Sequence, residues 1–228
     1  MSIMKKFAVL TLTLLLTAVC FAAQETLICG NKTVTAHNDG RVVISNSNGE
    51  IVTVALQYVF KNAANGEVDW FTVTPALCKM QKDGNKVVWE LWKKHELQTW
   101  KIADQSIELL EDGTLQFAGK SYTPEGNKLL PRIEHASFFI TFPTEGNAGE
   151  KFLFNDDEHK LDPAMKSLAQ WNGKRFDYDL FIGNKEKNVT IKSVSLRRTG
   201  MLVFNKQHRI MYDFKKDNTC AFLIDLHK

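Results

Sequence analysis

Asp177 and Asp179 stand two positions apart in the run Phe176-Asp177-Tyr178-Asp179-Leu180. On a strand, residues i and i+2 share a face, which puts these carboxylates about 7 Å apart. Inverting glycoside cleavage uses two carboxylates roughly 6.5–9.5 Å apart, one as acid and one to activate water. The pair is a candidate dyad. Its commoner reading is the polar side of a half-buried strand whose apolar side is Phe176, Tyr178 and Leu180. Asp156, Asp157 and Glu158, followed by His159, read as a solvated loop, or at most a weak calcium site. His135 enters an apolar run behind Glu134; joined with Tyr122 and Arg132 it would supply the acid and base of a hydrolase or lyase. A buried, hydrogen-bonded histidine is the plainer expectation. No two histidines have metal-ligand spacing, and P-loop, dinucleotide, nucleophile-elbow, zincin and EF-hand motifs are all missing. The sequence predicts neither a metal nor a cofactor.

The tryptophans offer a different chemistry. Sugar rings present flat C–H faces, and aromatic rings give them large, rigid contact area. In Lys86–Lys93, alternation puts Val87, Trp89 and Leu91 on one face and Val88, Glu90 and Trp92 on the other. Trp89 is assigned to the core; Trp92, beside Glu90 and near Lys93, is a candidate for the exposed side. On the following strand Trp100 alternates with Gln98 and Ile102. Paired strands that bring Trp92 and Trp100 together would form, with Glu90 and Gln98, a ligand-binding platform for glycans. The favoured expectation puts both indoles in the sandwich core. Basic residues at Lys185–Lys187, Arg197-Arg198 and Lys206–Arg209 would suit a sulfated or uronic glycan, or simply an ordinary soluble surface.

Positioning these residues requires strands. Asp39-Gly40, Asn48-Gly49, Asn65-Gly66, Asp83-Gly84, Asp112-Gly113 and Asn172-Gly173 punctuate runs rich in Val, Ile, Thr and aromatics, and read as type I′ hairpin turns. Strands are expected at Thr33–His37, Arg41–Ser45, Ile51–Phe60, Asp69–Thr74, Lys86–Lys93, Leu97–Ile102, Ser106–Leu110 and Thr114–Ala118. A second set runs through His135–Phe142, Lys151–Asn155, Arg175–Ile182, Val189–Arg197, Gly200–Asn205, Arg209–Phe214 and Thr219–Leu226. The run from Asp162 to Gly173, with Asp162 as N-cap and Pro163 in the first turn, predicts one short crossover helix. The fold class is all-β: a mostly antiparallel β-sandwich. It is either one extended sandwich or two halves, 24–119 and 132–228, divided by the Pro- and Gly-bearing segment Lys120–Arg132.

Lys5 and Lys6, the apolar run Phe7–Phe21 and the small pair Ala22-Ala23 have the layout of a secretory signal peptide over residues 1–23, in a bacterial style. This predicts a secreted or periplasmic protein with no transmembrane segment in the mature chain. Lipid anchoring at Cys20 is the less favoured alternative, since Thr17, Ala18 and Val19 fit that pattern poorly. Removing the leader's two lysines takes the formal net charge from +3 to about +1. A nearly neutral chain has no global attraction for nucleic acid or anionic membrane. Of Cys29, Cys78 and Cys220, a Cys29–Cys220 bridge is the first choice for a disulfide; three buried free thiols are slightly preferred to any bridge.

The segments "HASFFITFP", "GEKFLFNDDEHKL", "FDYDLFIG", "NVTIKSVSL" and "RIMYDFKKDNTCAFLIDL" resemble, in strand rhythm, the β-sandwich accessory domains of secreted bacterial glycoside hydrolases and polysaccharide-degrading proteins. The resemblance covers roughly Ile133 to Leu226 and carries over no site residue. It implies a non-catalytic, carbohydrate-binding or accessory protein. The alternatives are a glycan hydrolase or lyase, and an envelope structural or interaction module that meets a protein partner at a sheet edge.

Overall fold

The computed structural model describes residues 24–61, 68–72, 78–95, 98–122, 132–143, 151–154, 157–160, 180–183, 188–192, 199–204, 207–213 and 219–227. All of their regular structure is strand, in two antiparallel sheets. The first sheet holds β1 (Glu25–Cys29), β2 (Lys32–Ala36), β3 (Val42–Asn46), β4 (Gly49–Lys61), β5 (Val68–Thr72), β10 (Arg132–Pro143), β15 (Thr199–Phe204) and β16 (Gln207–Asp213). Its order is β1-β2-β3-β4-β10-β16-β15, with β5 continuing the β3 edge of the long β4. The second holds β6 (Cys78–Asp83), β7 (Lys86–His95), β8 (Gln98–Leu109), β9 (Thr114–Ser121), β11 (Lys151–Phe154), β12 (Asp157–Lys160), β13 (Leu180–Gly183), β14 (Asn188–Lys192) and β17 (Thr219–Asp225). Its order is β12-β11-β13-β14-β17-β9-β8-β7-β6. The expected crossover helix lies outside the described residues.

Each sheet is built from both halves of the chain. β10 hydrogen-bonds to β4 across a bulge between Ile133 and His135, and β17 hydrogen-bonds to β9 from Thr219↔Lys120 to Asp225↔Thr114. Alternation explains the packing: Val34 and Ala36, Val42 and Ile44, and Phe138 and Ile140 point inward from the first sheet. Val87, Trp89 and Leu91, Leu115 and Phe117, and Phe222 and Ile224 point inward from the second. All of these are fully or almost fully buried in one continuous apolar core.

The turns differ from the expected type. At Asp39-Gly40 the Gly40 N–H donates to the His37 carbonyl (3.0 Å) and the His37 N–H to the Arg41 carbonyl (2.8 Å). Leu110 to Thr114 repeats the pattern around Asp112-Gly113. Only the glycines have positive φ, +81° at Gly40 and +87° at Gly113. These are three-residue loops, a type I turn followed by a left-handed glycine, rather than type I′ pairs. The carboxylates of Asp39 and Asp112 instead accept from the N–H two residues on, at 3.0 and 2.8 Å.

Both glycine turns dock the opposite sheet. Gln105 donates through Nε2 to the Gly40 carbonyl at 2.8 Å, and Trp89 through Nε1 to the His37 carbonyl at 2.9 Å. The Cys29 thiol points at the Gly113 carbonyl, 3.8 Å away. At one side of the sandwich Lys82 of β6 donates to the Thr26 carbonyl of β1 (2.8 Å).

These positions decide the disulfide question. Cys29 sits at the Gly113 end of β9, whereas Cys220 pairs with Gly119. Six strand residues separate those points, about 20 Å, and a disulfide needs Cα atoms within roughly 7 Å. All three thiols are free. A chain starting at Gln24 should therefore show three titratable thiols in denaturant without reductant. Native labelling should be slow, because Cys29 and Cys220 are buried and burial pushes the Cys78 thiol up to about 12. A count of one in unreduced denaturant would mean a bridge, and with it a different placement of the two strands that carry the bridged cysteines.

Candidate functional site

The second sheet carries the site on its outer face, and a single irregularity creates it. β7 pairs with β8 in regular register from Lys86↔Glu108 to Leu91↔Ala103; the next pair is Trp92↔Lys101. Ile102 is the extra residue of a β-bulge, and both Ile102 and Ala103 are fully buried. Two consecutive inward side chains flip the phase of the strand. Beyond the bulge Lys101 turns outward with Trp92, and Trp100 turns inward opposite the buried Lys93.

Of the expected platform residues, Glu90 and Trp92 therefore share the outer face. Trp100 packs against the apolar core from the inner side. Gln98 is placed only as backbone, paired with His95. The two indoles do not form one platform. The Trp92 Nε1 is buried without a hydrogen-bond partner, so what Trp92 can offer a ligand is its ring.

The same phase flip assembles a charged cluster. Lys101 and Asp104, three apart, would sit on opposite faces of a regular strand. Across the bulge they share a face, with Lys101 Nζ 2.6 Å from Asp104 Oδ1 and 3.2 Å from Glu90 Oε1. Glu90 and Asp104 are direct cross-strand partners, so one ammonium bridges two facing carboxylates. Tyr122, just past β9, is anchored by its N–H to the carbonyl of the bulge residue Ile102 (2.8 Å) and donates its hydroxyl to Asp104 Oδ2 at 2.5 Å. Lys101 and Lys120 stand over the Tyr122 ring at 5.5 and 5.6 Å, and Lys79 over the Trp92 ring at 5.2 Å.

The hydrogen bond to Asp104 pushes the Tyr122 phenol above its usual value, and the same carboxylate holds the Lys101 ammonium above the usual lysine range. Both groups stay protonated near neutral pH. They are donors, not bases. An open groove of about 600 Å³ runs over this face, lined by Lys79, Glu90, Lys101, Asp104, Ser106 and Lys120 among others. Trp92 and Tyr122 adjoin it through Lys79 and Asp104.

The other sequence candidates lie elsewhere. Asp177 and Asp179 are outside the described residues. His135 is placed as backbone on β10, in the first sheet, with Arg132; Tyr122 follows β9 in the second, so this expected trio is not drawn from one sheet. Of the acidic run expected as a loop, Asp157, Glu158 and His159 belong to β12, which ends the second sheet among the described residues, where charge discourages edge-to-edge pairing; Asp156 lies outside the described residues. Among the described residues, no group of three or more His, Cys, Asp and Glu is placed to hold a metal, and no helix is long and apolar enough to cross a membrane.

Fold and site together define a class: an antiparallel β-sandwich with a polar groove on the outer face of one sheet, adjoined by Trp92 and Tyr122. No protein-family model and no curated protein matches the chain.

Proposed function

We propose that this protein is an exported, non-catalytic β-sandwich that binds carbohydrate in the outer groove of the second sheet. The observation that carries this reading is Trp92 on the same face as Glu90, Lys101, Asp104 and Tyr122. An aromatic ring for a sugar's C–H face lies beside donors and acceptors for its hydroxyls. The groove's chemistry favours binding over bond cleavage. A glycosidase needs one carboxyl free to give a proton and another free to attack or activate water, whereas Glu90 and Asp104 are both engaged by Lys101. A lyase using Tyr122 as base would need its phenolate, which the hydrogen bond to Asp104 opposes. Export rests on the leader-like first 23 residues. The interaction-module alternative would use the β1 edge, where Ile28 is 72% exposed. There Lys82 already occupies the Thr26 carbonyl that an added strand would use.

Displacing Lys79 from the Trp92 ring costs a stacking sugar about 0.5–1 kcal/mol, well within what such a contact returns. A glycan array on the chain from Gln24 onward should retain at least one glycan. Trp92→Ala should weaken it roughly tenfold or more, about 1.4 kcal/mol, with little change in melting temperature. Trp100→Ala should do the reverse, lowering stability and sparing affinity while the protein is folded. Retention of no glycan, or equal affinity in Trp92→Ala, would overturn the proposal.

A further inference from the structure

Resting on that reading, we infer that the groove's ligand is an acidic glycan, with hydroxyls over the centre of the groove and negative groups at its two sides. The charges of the lining residues are unequal: Lys79, Lys86, Lys101 and Lys120 against Glu90 and Asp104. Lys86 is paired with Glu108 at 3.1 Å, and Lys101 is shared by the two central carboxylates. The cations left for a ligand are Lys79 and Lys120. Lys79 is 3.8 Å from Glu90, with a side chain 70% exposed. Among the described residues no carboxylate lies within ion-pair distance of Lys120, whose ammonium stands over the Tyr122 ring.

The order β9-β8-β7-β6 places Lys120 and Lys79 on the two flanking strands. Three strand spacings separate them, about 14 Å. Between them lie Glu90, Asp104 and the Lys101 ammonium, a floor that accepts from and donates to sugar hydroxyls. A ligand with negative groups a few sugar units apart matches this order of charges. A continuous phosphate backbone does not, because Glu90 and Asp104 would meet it in the middle. Carboxylate and sulfate esters share the required chemistry.

The test compares a polyuronate, a sulfated polysaccharide and the neutral polymer of each backbone by calorimetry, on the wild-type chain and on Lys79→Gln/Lys120→Gln, Arg41→Gln and Trp92→Ala. At least one acidic polymer should bind roughly tenfold or more above its neutral counterpart, and the double variant should remove about that factor and reduce the salt dependence. Arg41→Gln, which removes an exposed cation in the turn between β2 and β3, outside the groove, should change affinity less than about twofold. The polymer preferred, uronate or sulfate, identifies the anion. Equal affinity for neutral and acidic polymers, sensitive to Trp92→Ala but not to the lysine changes, overturns this inference and leaves carbohydrate binding standing. Binding of no polymer overturns both. Lysine-dependent capture of a single-stranded oligonucleotide as tight as that of any glycan overturns the assignment to a glycan.

Discussion

Trp89→Ala lowers the free energy of unfolding by about 3–5 kcal/mol, the range for truncating a large buried aromatic, and drops the thermal midpoint by roughly 6–20 °C. Trp89 is 1% exposed and belongs to the central core. Its indole also reaches the opposite sheet, where Nε1 donates to the His37 carbonyl at 2.9 Å in the turn between β2 and β3. Truncation removes packing and a cross-sheet hydrogen bond together. Trp89→Phe separates them: it keeps most of the ring volume and removes the indole donor, leaving the His37 carbonyl with the Gly40 N–H alone, for a loss of about 1 kcal/mol. Urea unfolding of the two variants measures both. A loss under about 1 kcal/mol for Trp89→Ala would mean that the indole does not clamp the sheets.

The burial of Trp89 was legible because Lys86–Lys93 keeps strict alternation, and the placing of Glu90 and Trp92 together on the opposite face followed from the same period. The β2, β3, β4, β7 and β9 strands were legible for the same reason, with turn residues marking their ends. The site was not. Trp100 and Ile102 point inward on even numbers; Ala103, Gln105, Ile107 and Leu109 point inward on odd ones. In the sequence that change of phase reads as a gap between two strands, Leu97–Ile102 and Ser106–Leu110. In the fold it is a bulge inside one strand, β8. Lys101 and Asp104 fall in or beside the apparent gap, and their three-residue spacing signals contact only once the bulge is known. Tyr122 and Lys79 reach the cluster from strands whose neighbours pairing alone defines.

Buried polar groups were hidden for a related reason. Gln105 is 2% exposed, and its partner is a carbonyl 65 positions away. No local pattern announces such a pair. β1 and β6 were missed as short edge strands: β1 has only Leu27 and Cys29 buried, and β6 has no fully buried residue. Edge strands carry one exposed side and a weak period, so their pairing becomes visible only with the partner in place.

Phe222→Ala should cost about 3–5 kcal/mol, and so should Phe138→Ala, but their effects should not add. Phe222 and Phe117 are cross-strand partners on β17 and β9, with rings stacked at 4.6 Å and 7°. Phe138 comes from β10 in the other sheet and meets both edge-on, at 5.3 Å and 69° to Phe222 and 6.3 Å and 72° to Phe117. Rings in this geometry gain roughly 0.5–1.5 kcal/mol beyond the area they bury. The first truncation forfeits that gain, so the double variant should lose less than the two single losses combined by about that amount. The cycle is read from urea midpoints of the four proteins. Area burial alone would let each ring contribute separately; a contact across the sheets would not. Additivity within about 0.3 kcal/mol would mean that Phe138 and Phe222 do not meet, and that the sheets face each other in a different alignment. The alignment matters outside the core as well. β9 carries Phe117 inward and Lys120 outward, so the packing that sets the inner face also fixes where one side of the groove stands.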